Sequence, residues 1–172
     1  MIRRRLLVVG PLFAAAAVSW VANATRPAHA EAGTIASRYC GEQRLFGYVR
    51  SLARSGNHYL LRFDPAVFLS GETANRAAAQ DGAVPKGQPV PNDDYVVNES
   101  RRTYVYEVTR SARIHVLLRG GSITRGTAVS VATLARLVHG GHPVELFEGL
   151  ETGFWLGVHG DRACSLDQQY HP

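Results

Sequence analysis

Beyond residue 22 the chain has no apolar run that approaches the length of a bilayer span, which excludes a polytopic membrane protein. It also lacks a working surplus of charge. The whole chain counts 19 basic against 14 acidic side chains, but Arg3, Arg4, Arg5 and Arg26 all fall in residues 1–30, which carry no acid. Without that segment the balance is 15 against 14, too even for a protein that must displace counterions from phosphates. Nucleic acid is therefore not expected as a partner. No P-loop, dinucleotide fingerprint, zinc-ribbon spacing, Gly-x-Ser-x-Gly elbow or protease signature occurs, and there is no internal repeat. Cysteine is used only twice. Disorder throughout is excluded as well, because 45% of the residues are hydrophobic.

The segment that holds the extra charge reads as a secretory leader. Arg3-Arg4-Arg5 is its positive start, Leu6 to Ala22 its apolar stretch, and Ala28-His29-Ala30 supplies small residues at the two positions a signal peptidase reads. Cleavage there predicts export, with residue 31 as the new N-terminus; an uncleaved N-terminal membrane anchor is the alternative. The paired arginines loosely resemble a twin-arginine signal, so either export route stays open, and no cysteine stands at the cleavage site to take a lipid. In an oxidising compartment Cys40 and Cys164 are expected to pair. Such a bridge closes a loop of roughly 125 residues, worth about 4–5 kcal/mol in the chain-entropy treatment.

After a small, polar lead-in over residues 31–43, one β-rich domain is expected over 44–172. Strand patterns run over Arg44–Arg54, His58–Leu69, Tyr95–Val97, Thr103–Thr109, Ala112–Arg119, Val144–Phe147, Phe154–Val158 and Arg162–Gln168. Pro65 makes the second half of its strand an edge or a bend. Ser70 opens a short alanine-rich helix that Gly82 ends, and Ser130 caps a second from Val131 to His139, stopped by Gly140. The sum is a mostly β domain: a small antiparallel barrel, OB-like among the options, with two short helices, an α+β sheet or a β-sandwich being the alternatives.

Three segments carry a resemblance. Phe63-Asp64-Pro65-Ala66-Val67-Phe68-Leu69-Ser70-Gly71-Glu72-Thr73-Ala74, then Val90-Pro91-Asn92-Asp93-Asp94-Tyr95-Val96-Val97-Asn98, then Phe154-Trp155-Leu156 with Gln169-Tyr170-His171-Pro172, resemble a group of exported bacterial proteins. The resemblance spans most of the chain after the leader. It implies an exported β-rich domain and carries over no catalytic residue.

The candidate site residues are Glu72, Asn92, Asp93, Asp94 and Tyr95, grouped by the proline-rich loop from Gly82 to Asp94. That loop is long for a compact domain, and its prolines limit its freedom, so it suits a contact surface or its rim. Adjacent carboxylates with an amide can hold a hard cation or supply a base, yet Pro91-Asn92-Asp93 is equally ordinary turn chemistry. Consecutive carboxylates in extended chain also point apart. His139-Gly140-Gly141-His142, with His159 and His171, has the residue types of a metal site, but His139 stands at a helix end, where an imidazole faces free carbonyls. No metal and no cofactor are expected. Trp155, Phe154, Tyr95, Tyr104 and Tyr106 are expected in the core rather than along a ligand cleft.

The leading expectation is therefore an exported, non-enzymatic binding or accessory module whose partner is a cell-envelope component or another protein. The second is an envelope hydrolase with Glu72, Asp93 or Asp94 as its base, marked by two of these carboxylates converging in one concave site.

Overall fold

The computed structural model describes residues 43–171. The leader and Cys40 lie outside that span. Strand β1 (Gln43–Ser55) turns at Gly56 into β2 (His58–Ser70), and Gly56 supplies the left-handed φ of +57° that the turn requires. Helix α1 (Gly71–Gln80) follows, then a 3₁₀ turn over Pro91–Asp93 and a short β3 (Asp94–Val97). Strand β4 (Tyr104–Val116), β5 (Thr127–Val129), helix α2 (Val131–Val138), a second 3₁₀ turn (Leu150–Thr152) and the hairpin β6 (Phe154–His159) and β7 (Arg162–Gln168) complete the chain.

Five of the strands close into a barrel in the order β1-β2-β4-β7-β6, with β6 returning to β1. Helix α2 enters between the third and fourth barrel strands. This is the connectivity of an OB-like barrel, and closure leaves those five strands without free edges. The expected all-antiparallel pairing needs one correction: β4 and β7 run parallel. The β6–β7 hairpin fixes the direction of β7, and the long crossover through α2 frees β4 from any hairpin rule with it.

Local differences have physical causes. The two patterns at Thr103–Thr109 and Ala112–Arg119 form one strand, β4, which bends where its register with β7 slips between Val108 and Arg113. Val144–Phe147 does not become a strand; it makes a single bridge, Leu146 to Leu118. Strand β5, three residues long, was too short to show a period. Pro65 falls where β2 changes partner, since His58–Phe63 pair with β4 and Val67–Ser70 pair with β3. Opposite it, Gly47 lets the strands approach: a Cβ there would lie 2.2 Å from the Asp64 carbonyl oxygen.

The main core is the barrel interior. Leu52, Leu61, Phe63, Val108, Ile114, Phe154, Leu156 and Leu166 point inward, and Val131 and Leu134 of α2 plug one end. Ser130 Oγ caps α2 by accepting the Thr133 N–H at 3.0 Å. A separate, much smaller cluster of Ala74, Ala78 and Val90 holds α1 to the following loop. Of the aromatic residues, Phe154 is in the core, whereas Trp155 faces outward, in tilted contact with Phe46 (5.3 Å) and Phe68 (5.6 Å) beneath Arg44. Tyr106 packs against the barrel core, Tyr95 against the smaller cluster, and Tyr104 is exposed.

Candidate functional site: a cleft beside a buried aspartate

The register of β1 against β2 skips from Val49–Phe63 to Ser51–Arg62, leaving Arg50 as a bulged residue. A bulge re-aims its side chain, and this one turns Arg50 onto Asp64. Arg50 Nε donates to Asp64 Oδ2 at 2.9 Å, its Nη2 donates to the same oxygen, and Asn98 Nδ2 adds a third donor at 3.3 Å. Asp64 is only 3% exposed, so an ionised carboxylate there depends on such donors. Its other oxygen, Oδ1, is buried and has no hydrogen-bond partner among the described residues.

Arg50, Asn98 and Tyr48 form one wall of a cleft of about 690 Å³. Leu137, Val138 and the turn Gly140-Gly141-His142 form the facing wall, and Val49, Leu146, Leu150 and Glu151 complete the lining. The Arg50 guanidinium lies over the Tyr48 ring at 5.4 Å. Burial pushes the Tyr48 phenol above its ordinary value; Arg50 opposes that and Asp64 adds to it. Buried Gln168 braces the cleft from behind: its Nε2 donates to the Gly149 carbonyl at 2.8 Å and the Glu148 carbonyl at 3.2 Å, while its Oε1 accepts from Leu117 N–H at 2.9 Å. Those bonds fix the turn that presents Leu150 and Glu151.

A second cleft, about 550 Å³, lies along the same strand on the other side of the α2 C-terminal turn. Leu52, Arg54 and Tyr59 contribute from the barrel, and Ala132, Ala135, Arg136 and His139 from α2 and its end. His139 Nε2 is 3.2 Å from the Leu52 carbonyl oxygen, so its ring reaches across to β1 rather than back to its own helix.

The residues singled out in the sequence are placed elsewhere. Glu72 is exposed in the first turn of α1. Asn92 and Asp93 are exposed, each in a left-handed conformation at φ 59°. The Asp93 carboxylate faces the start of α1, with Oδ2 4.0 Å from where a Cβ on Gly71 would stand. Asp94 points a different way, 3.5 Å from His171 Nδ1. The Tyr95 hydroxyl donates to Asp81 at 3.0 Å, and that bond is the main cause raising its pKa. None of the five lines either cleft. The proline-rich loop is laid onto α1, where Asn75 Oδ1 accepts the Val90 N–H at 2.8 Å and the Ala83 N–H donates to the Ala78 carbonyl at 2.8 Å.

Among the described residues no three His, Cys, Asp or Glu side chains group as a metal site, and no helix is long and apolar enough to cross a membrane. Cys164 is half-buried on β7, and its expected partner Cys40 lies outside the described residues. Tyr48, Arg50, Asp64 and Asn98 were not singled out as a site from sequence. A signal for two of them existed: Asp64 is the one acidic residue of its strand, and Asp64 and Asn98 belong to the two resemblance segments that meet at this bond. Compared with family models, curated proteins and solved structures, the chain matches none.

Proposed function

We propose that the protein is an exported, non-enzymatic binding module of the cell envelope or extracellular space, and that it holds its partner in the cleft between β1 and α2. The observation that carries this reading is the fixed position of Arg50. Buried Asp64 anchors one side of the guanidinium, while about half of the Arg50 side chain stays exposed along the cleft wall. A guanidinium has five N–H donors in a rigid fork, so those not spent on Asp64 are preorganised for acceptor groups on a partner. Glu72, Asp93 and Asp94, the bases of the hydrolase reading, do not share either cleft.

Cosedimentation with isolated cell envelope tests the assignment. Glu151→Arg, at an exposed position of the cleft lining, is expected to abolish association with little change in melting temperature. Replacing Asn92 and Asp93 together with alanine is expected to leave association intact. The opposite pattern would move the binding surface to the proline-rich loop and overturn the cleft reading. Export rests on the leader pattern of Arg3–Arg5 and Ala28-His29-Ala30. N-terminal sequencing of secreted material, with thiol titration of the same sample for the Cys40–Cys164 bridge, checks it.

A further inference from the structure

We infer that the second cleft, at the barrel mouth beneath α2, is a binding site for an organic anion: a carboxylate or phosphate monoester carried on an apolar body. This does not depend on the function proposed for the first cleft. Its volume of about 550 Å³ falls in the range of small-molecule sites, about 300–1,000 Å³.

The sequence parity of β1 places a cation where a barrel would otherwise put a hydrophobe. Leu52 and Arg54 are two residues apart, so both face the barrel side of the strand. Leu52 pairs across with Leu61 in the core, while Arg54 pairs with Tyr59 at the mouth. There the Arg54 head emerges, bonded among the described residues only through Nε, which donates to the Gly56 carbonyl at 3.3 Å. Arg136 joins it from α2, and His139 adds a further polar edge. The lining contains no Asp or Glu, and among the described residues neither Arg54 nor Arg136 forms an ion pair.

Arginine is suited to carboxylate and phosphate because its planar fork donates two parallel hydrogen bonds to them. Tyr59, at the mouth, and the small side chains Ala132 and Ala135 supply the apolar surface beside the cations. A ligand with both characters uses both surfaces. Placing Arg136 in the last turn of α2 also offsets the negative end of that helix, which is the purely structural account of its position.

Titration of the full exported chain with octanoate, octyl phosphate and neutral octanol, followed by NMR shifts or calorimetry, separates the two accounts. We expect saturable binding of at least one anion and weakening by about tenfold or more in Arg54→Gln and in Arg136→Gln, as loss of a bidentate charged contact predicts. Octanol should bind at least about tenfold more weakly than the anion. Octanoate alone would assign a carboxylate ligand, and octyl phosphate alone a phosphate. Absence of anion binding, octanol binding as tight as the anions, or arginine variants that bind normally would each overturn the site. If Arg54→Gln lowers the melting temperature sharply, Arg136→Gln, on the exposed face of α2, decides the matter.

Discussion

The barrel and the annexe built from α1, the proline-rich loop and β3 are ordered by different means. The barrel buries large side chains on every strand, among them Phe63, Phe154 and Leu61 at no measurable exposure. The annexe buries two alanines and one valine. Beside the short β2–β3 ladder, what holds it is polar side-chain contact: the Asn75–Val90 bond, the Tyr95–Asp81 bond and the contact of Asp94 with His171. Burial is non-directional and shared among many neighbours, whereas each of these bonds is a single point of attachment. The annexe is therefore expected to open locally at a free energy below that of global unfolding.

Core truncation gives the largest expected effect. Phe63→Ala should destabilise the whole domain by about 3–5 kcal/mol, read from denaturant melts. Asn75→Ala leaves the Val90 N–H without its partner, which costs about 1–3 kcal/mol, but only in the annexe. Amide exchange should then accelerate over residues 82–97 while the global midpoint barely moves. A global shift from Asn75→Ala as large as that from Phe63→Ala would show barrel and annexe to be one cooperative unit.

Asp64 lies at the seam between the two regions, on the stretch of β2 between its β4-paired and β3-paired segments. A fully buried ion pair broken on one side costs about 3–5 kcal/mol. Arg50, however, keeps 52% of its side chain exposed, so water compensates it once the carboxylate is gone. Asp64→Ala is accordingly expected to cost about 1–3 kcal/mol. It should also weaken envelope association, because Arg50 loses its anchor. A loss as large as that of Phe63→Ala would mean the seam, rather than the barrel interior, holds the fold.

How legible the molecule was in sequence follows the same division. Strands β1, β2, β6 and β7 and both helices were readable because their apolar positions recur at a fixed period and their turns carry glycine or, at α2, a serine cap; Ser70 precedes α1 without a side-chain capping bond. Closure into a barrel was readable only as a class, since the parallel β4–β7 contact joins residues with no local signature of meeting. The candidate site was hardly readable. Asp64, Arg50 and Asn98 are far apart in the chain, and a one-residue bulge, invisible in composition, brings the arginine to the aspartate. Asn92, Asp93 and Asp94 drew attention as an amide beside two carboxylates after a run of prolines, and the left-handed backbone at Asn92 and Asp93 accounts for those two residue types.

The smallest effect asks whether Asp93 has any role beyond that turn. Its φ of 59° is tolerated best by glycine, then by Asn and Asp, and costs a β-carbon residue such as alanine about 1 kcal/mol or more. Its carboxylate also faces the start of α1, where a negative charge is worth about 0.3–1 kcal/mol and is screened by salt. Asp93→Asn keeps the backbone preference and removes the charge, so the two contributions separate. If the charge matters, Asp93→Asn should lose about 0.3–1 kcal/mol at low salt and nothing at high salt, with faster amide exchange in α1. If only the turn matters, Asp93→Asn is neutral at both, and Asp93→Ala alone is destabilising. A third outcome, envelope association lost in Asp93→Asn at unchanged stability, would return the loop to the binding surface and set the annexe, rather than the cleft, against the barrel as the working part of the molecule.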